Sequence, residues 1–251
     1  MKAIILAGGY AKRLWPLTKN KPKQLLSVGG RPMIEYIVEK LETQKEIDKI
    51  IISTNEKFGE NFKHWLSEYK PTKDISLVIE PTLSEKDKLG SVGALGYLIK
   101  EKNFDEELMI IGGDNLFEFD LRDLIYYYRE KKGNNIVALY DLKSIQKARS
   151  YGVATVDEGM RIIDFVEKPE NPPSTLVSTA CYMLSSEGVR SILTYLDKGE
   201  NPDTIGFFIK WLIKRERVFG FVFSGKWFDI GSLESLKEAD LMYTKNKGED
   251  L

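Results

Sequence analysis

The sequence predicts an α/β protein, a three-layer α/β/α arrangement around a mostly parallel, mixed sheet. Three observations predict it. Through residues 1–140, short apolar runs alternate with helical stripes, the pattern of βαβ units and a parallel sheet. The first apolar run, residues 2–7, has no polar alternation, so it reads as a strand buried on both faces. From residue 141 the pattern turns to β-rich segments parted by turn signals, which makes the predicted sheet mixed.

The elements follow in order. Residues 32–44 carry Met33, Ile34, Ile37, Val38 and Leu41, a helical stripe with proline near its start. A strand at 49–54, a helix at 58–69, a strand at 75–80, a helix at 91–102 and a strand at 108–111 come next. That last strand runs into Gly112-Gly113-Asp114. A helix at 121–132 and a strand at 136–140 close the first half. Residues 151–156 and 161–166 are strands divided by the turn signal Asp157-Glu158-Gly159. A strand at 176–184, helices at 187–196 and 204–214, strands at 218–223 and 227–230 and a helix at 233–243 complete the pattern. Residues 169–173 form a Pro-rich loop and not a linker, so 1–251 reads as a single domain of ordinary size.

Composition narrows the chemistry. The chain is 42% hydrophobic and 30% charged, as globular proteins are. Its 37 basic and 38 acidic residues leave a net charge of -1. That balance argues against a nucleic-acid or membrane-surface binder, which carries a basic excess. Cys181 and His64 stand alone among their kinds. No disulfide within one chain follows, which suits a cytoplasmic location. A Cys/His zinc site lacks ligands, and a Ser-His-Asp triad would need His64, which sits in an ordinary amphipathic helical pattern at 62–66. What remains is the chemistry of Asp, Glu, Lys, Arg and a hard metal ion. The apolar start is too short for a signal segment, and no stretch is long enough to predict a membrane span.

Ligands of open parallel sheets bind beyond the carboxyl ends of the strands. Two segments lie at such ends. In the first, Gly8-Gly9 follows the strand at 2–7, and Lys12, Arg13 and Lys23 follow the glycines. Glycine lets backbone N–H groups approach an anion, and the cations neutralise it. A long loop inside a compact domain is usually functional. Neither a G-x-x-x-x-G-K-S/T loop nor a G-x-G-x-x-G fingerprint is present. In the second segment, glycines present Asp114 right after the strand at 108–111. Magnesium prefers one or two carboxylates plus substrate phosphates, and Asp229 in 225–231 is a second carboxylate at such a position. Glu167-Lys168-Pro169 ends the strand at 161–166, and Ser91-Val92-Gly93-Ala94 opens a helix with small residues just after Gly90. A helix start of this kind favours negative charge.

In this order, the segments resemble the sugar-1-phosphate nucleotidyltransferases, with the glucose-1-phosphate thymidylyl- and uridylyltransferases nearest. The resemblance spans essentially the whole chain. Residues 6–23 resemble the pattern L-A-G-G-x-G-T-R-L-x-P-L-T-x-x-x-P-K. Gly113-Asp114, Tyr151-Gly152-Val153, Glu167-Lys168-Pro169 and Trp227-Phe228-Asp229-Ile230-Gly231 resemble the G-D, Y-G-V, E-K-P and W-x-D-I-G motifs. It implies a nucleotide-diphospho-sugar transferase, Rossmann-like fold, with a nucleotide-binding half at 1–140 and a sugar-phosphate-binding half at 141–251. It implies Arg13 and Lys23 as catalytic residues, and Leu6, Gly8, Gly9, Ala11, Lys12, Glu80 and Gly90 around the nucleotide. Gly152, Glu167, Lys168 and Ser178 would hold the sugar phosphate, and Asp114 and Asp229 a Mg²⁺ cofactor. The implied substrates are a nucleoside triphosphate, dTTP or UTP by resemblance, and a sugar 1-phosphate, glucose 1-phosphate by resemblance. Relatives are often homo-oligomers, although no stripe here marks an interface. The end of the sequence is expected to lack the C-terminal β-helix of bifunctional acetyltransferase members.

Five positions depart from the family pattern. Ala11 and Lys12 stand for Gly and Thr, and Ala11 is expected at φ > 0. Ser178 and Ala180 stand where N-x-G is common. Glu80 falls near a base-contacting Gln of thymidylyltransferases, and a carboxylate cannot donate the same hydrogen bond, so base and sugar stay open. Two other readings are a nucleotide-sugar-dependent glycosyltransferase, whose D-x-D motif Asp114-Asn115-Leu116 does not supply, and a non-catalytic nucleotide-sugar-binding subunit, which would be expected to lose Arg13, Lys23, Asp114 or Asp229.

Overall fold

The structure, a computed structural model, describes residues 1–249, so the last two positions of the expected 1–251 domain lie outside them. In chain order the first half comprises β1 (Lys2–Leu6), β2 (Ser27–Val28), β3 (Arg31–Pro32), α1 (Met33–Glu42), β4 (Lys49–Asn55), α2 (Gly59–Glu68), β5 (Asp74–Glu80), α3 (Gly90–Lys102), β6 (Leu108–Gly112), β7 (Asn115–Phe117), α4 (Leu121–Glu130) and β8 (Asn135–Asp141). The second comprises α5 (Ile145–Ala148), β9 (Gly152–Val156), β10 (Ile162–Glu167), β11 (Leu176–Leu184), α6 (Ser186–Asp197), α7 (Ile205–Leu212), β12 (Val218–Phe223), β13 (Trp227–Asp229) and α8 (Leu233–Glu249).

Among the described residues a 9-stranded sheet runs β10-β9-β11-β6-β1-β4-β5, with β8 joined to β11 and β12. β6, β1, β4 and β5 are parallel neighbours. β11 lies antiparallel to β6 and β8, and β9 and β10 form an antiparallel hairpin. Side chains alternate across each strand. Ala3, Ile5, Ile50, Ile52, Met109 and Ile111 meet α1, α2 and α4 on one face. Ile4, Ile51, Leu108 and Ile110 meet α3, α6 and α7 on the other. Burial on both faces is why these strands are apolar throughout, and it produces the expected three layers.

Helix starts obey local chemistry. Asp120 caps α4 by accepting from Arg122 N–H at 2.8 Å, and Ser185 caps α6 by accepting from Gly188 N–H at 3.0 Å, each satisfying an N–H that has no partner within the helix. A third cluster gathers Leu14, Leu26, Val28, Met33, Leu116, Ile230, Leu236 and Ala239. It seats α8 against the segments around β2 and β13, and Asp240 accepts from Gly29 N–H at 2.8 Å. The helix expected at 233–243 thus clamps two loops that lie far apart in sequence.

Several short elements leave no periodicity to read. The 6–26 loop contains two 3₁₀ turns, Lys12–Leu14 and Lys23–Leu25, each a single turn. β7 and β13 form their own two-stranded ladder. The helix expected at 58–69 begins as a 3₁₀ turn, Glu56–Phe58, before α2. Among the described residues no helix is long and apolar enough to cross a membrane.

Candidate active site

β1 and β6 pair in parallel with Leu6 opposite Gly112, and Gly113 N–H donates to the Leu6 carbonyl at 2.9 Å. The loops after both strands therefore leave the same end of the sheet side by side, where α/β folds open a ligand crevice. Two cavities occupy that crevice.

The first, about 330 Å³, is lined by Leu6, Gly8, Gly9, Ala11, Glu80 and Gly90, together with Lys23 and Asp114. It gathers every expected nucleotide-binding residue except Lys12, which is exposed and lines neither cavity. A Cβ on Gly8 would lie 2.6 Å from Glu80 Oε1, so the loop can lie against Glu80 only because Gly8 lacks one. Gly90 has φ +77°, and a Cβ there would meet Asp203 Cα at 2.4 Å. Ala11 adopts the left-handed conformation expected for it, φ 44° and ψ 45°.

The polar end of β4 holds this wall. Ser53 donates to Glu80 Oε1 at 2.8 Å, Thr54 to the Ala7 carbonyl at 3.3 Å and Asn55 to the Gly8 carbonyl at 2.9 Å. All three residues are buried. Burial pushes the Glu80 carboxyl pKa up, and the Ser53 hydrogen bond opposes that rise.

The second cavity, about 490 Å³, is lined by Arg13, Gly152, Glu167, Lys168, Ser178 and Asp229, and by Asp114 again. All four expected sugar-phosphate residues are in it. Burial raises the Glu167 carboxyl pKa, with the Lys168 charge acting against it. Ser178 and Tyr182 share a 3.0 Å hydrogen bond. Ala180 has φ 53°, inside the register shift between Ser178 and Tyr182 on β11. Alanine thus holds a left-handed conformation that glycine adopts freely.

Asp114, Ala180 and Tyr182 line both cavities. At this junction Lys23 Nζ lies 2.6 Å from Asp114 Oδ2, and Asn115 donates to Asp114 Oδ1 at 2.9 Å. Burial would raise the Asp114 pKa, but the Lys23 charge and these hydrogen bonds bring it below the ordinary carboxylate value. The β7–β13 ladder sets Asp229 opposite Asn115, and Ile230 N–H donates to the Asp114 carbonyl at 2.9 Å. Trp227 Nε1 donates to Asn115 Oδ1 at 2.8 Å. Asp229 is pushed up to about 6, first by burial and then by the negative charge of Asp114, against Lys23, Arg13 and Lys168. Two carboxylates that repel one another suit a divalent cation. The set fits Mg²⁺, which takes one or two carboxylates and completes its shell with water and substrate phosphate. Among the described residues no group of three or more His, Cys, Asp and Glu could hold a metal.

His64 is exposed on α2 and 3.7 Å from Glu68, outside both cavities. Some lining residues escaped the sequence reading. Gln24 lines the first cavity, and its side-chain oxygen is buried with no partner among the described residues. Its position directly after Lys23 was a usable signal. The Ser53-Thr54-Asn55 run was another, because three consecutive polar residues ending an apolar strand need partners. Thr204 and Ile205 at the start of α7 line both cavities and carry no local signature.

A family model described as nucleotidyl transferase matches residues 2–246. The bifunctional protein GlmU of Methanocaldococcus jannaschii is 31% identical over 96% of this chain and 53% of its own. The UTP–glucose-1-phosphate uridylyltransferase AglF of Haloferax volcanii is 28% identical over 96% of this chain and 95% of its own. A Bacillus anthracis crystal structure, provisionally named a glucose-1-phosphate thymidylyltransferase and solved with sucrose, superposes with a TM-score of 0.80 at 28% identity, over 97% of this chain and 95% of its own. The chain spans little more than half the length of several curated relatives it matches.

Proposed function

Since this chain belongs to the nucleotidyl transferase family, we propose that it transfers a nucleotidyl group from a nucleoside triphosphate to a sugar 1-phosphate and releases pyrophosphate. The observation that carries this reading is the meeting of two cavities at Asp114. One has a glycine-lined wall with Lys23, and the other carries Arg13 and Lys168. Two anionic substrates could then bring their phosphates together at one point. A site for nucleotide hydrolysis alone has no need of the second cavity.

In this mechanism a phosphate oxygen of the sugar 1-phosphate attacks the α-phosphorus. The new P–O bond forms as the bond from the α-phosphorus to the bridging oxygen breaks, and the electron pair leaves with pyrophosphate. Lys23 holds the triphosphate, and Arg13, on the wall of the second cavity, acts with it to offset charge that builds on the α-phosphoryl oxygens where the two cavities meet. Lys168 holds the attacking phosphate, and Glu167 accepts from a sugar hydroxyl. The walls align the two substrates, so much of the barrier is met by positioning. Asp114 and Asp229 would hold Mg²⁺, which when bound neutralises phosphate charge. No protein nucleophile is required.

Glucose 1-phosphate is the sugar the resemblance favours, and Ser178 in place of Asn makes the sugar a matter for assay. The test is pyrophosphate release with Mg²⁺ across nucleotides and sugar 1-phosphates. Release that needs both substrates is expected. A folded protein that releases pyrophosphate from no pair would end the reading.

A further inference from the structure

The side chain set against the loop wall of the first cavity is a carboxylate. Glu80 lines the cavity with Leu6, Gly8, Gly9, Gly90 and Ala94 and is 3% exposed. Its oxygens lie 2.6 and 2.7 Å from the point a Gly8 Cβ would take. Both oxygens therefore lie against the bare backbone of the loop at the cavity wall. Ser53, fully buried, fixes the plane through its 2.8 Å hydrogen bond to Oε1. That bond uses one acceptor site, and a carboxylate has about four.

An ionised carboxylate only accepts hydrogen bonds, and it is best matched by two donors side by side. The pairing edges of the bases differ in this respect. Uracil and thymine offer one N–H between two carbonyls. Adenine and cytosine each offer one amino group beside an acceptor nitrogen. Guanine alone presents adjacent donors, its ring N1–H and its 2-amino group. Resting on the nucleotidyl-transfer reading above, we propose that Glu80 selects a guanine nucleotide, accepting from N1–H and the 2-amino group of the base in the first cavity. This departs from the dTTP or UTP expected from the resemblance.

The test uses the intact chain with Mg²⁺ and a panel of sugar 1-phosphates, and reads pyrophosphate release. GTP is expected to exceed UTP, dTTP, ATP and CTP by at least tenfold in kcat/KM, because a site built around a base's donors rejects analogues that lack them. Inosine triphosphate lacks only the 2-amino group, and is expected to fall at least tenfold below GTP in the unaltered protein. Glu80→Gln presents one acceptor and one donor, so the preference should move toward UTP or dTTP. A wild-type preference for UTP or dTTP, as a protonated Glu80 would give, overturns the proposal while leaving nucleotidyl transfer intact. Equal use of inosine triphosphate and GTP also overturns it. Absence of release with every nucleotide would overturn the transfer reading and this proposal with it.

Discussion

Lys23 and Asp114 form a 2.6 Å ion pair across the end of the sheet. The pair ties the loop after β1 to the loop after β6, and each partner comes from a segment that the resemblance assigns a different task. The Lys23 side chain is 11% exposed and that of Asp114 29%, so the contact is largely withdrawn from solvent screening.

Lys23→Met should do two things. It leaves the Asp114 carboxylate without its cation, which should cost about 1–2 kcal/mol of stability, less than a fully buried pair because Asp114 retains some solvent. It should also lower kcat on the order of 100-fold, as loss of one charge-stabilising donor does. Thermal denaturation and pyrophosphate release measure the two. A normal kcat would remove Lys23 from the reaction centre.

Asp229 predicts a pH dependence. Its folded pKa, about 6, is above the ordinary 3.8, so the folded chain holds this proton more tightly than the unfolded chain does. The metal-free protein should therefore lose stability as pH rises from about 4 through about 6, by on the order of 3 kcal/mol in all. Asp229→Asn should flatten that slope while abolishing transfer. Mg²⁺ should restore the stability lost above pH 6. Melting curves with EDTA and with Mg²⁺ check each point, and a slope unchanged in the Asn variant would contradict the assignment.

Ala11 predicts a gain. Its φ of 44° and ψ of 45° strain any residue with a Cβ. Ala11→Gly removes that strain but gives the unfolded chain more freedom, for a net gain of about 0.5–1 kcal/mol. That corresponds to a rise of roughly 1–4 °C in Tm for a chain of this size. Calorimetry at fixed protein concentration would detect it, and a fall in Tm would mean the methyl group packs more favourably than the strain costs.

Lys168→Ala should raise KM for the sugar phosphate about tenfold or more and leave KM for the nucleotide near normal, because Lys168 lines only the second cavity. Loss of one charge-assisted contact is of that size. Equal effects on both KM values would argue against two separate substrate walls.

Much of this could be read from the chain itself. The unbroken apolar runs at 2–7 and 108–111 marked strands buried on both faces, and the stripe of Ile34, Ile37, Val38 and Leu41 marked a helix. Ala11 was legible as a left-handed position because glycine is usual there. The sequence by itself determined which residue types meet at the strand ends: glycines, Arg13, Lys23, Asp114 and the Glu167-Lys168 pair. It could not state that Asp114 and Asp229 share a junction. That depends on the β7–β13 ladder, whose strands are three residues long and too short for periodicity. Nor could it state that Ser53 donates to Glu80, or that Lys12 lines neither cavity. Those facts depend on the pairing of β4 with β5 and on a single 3₁₀ turn. Local pattern reports what one segment buries, whereas only the packed chain decides which segments become neighbours.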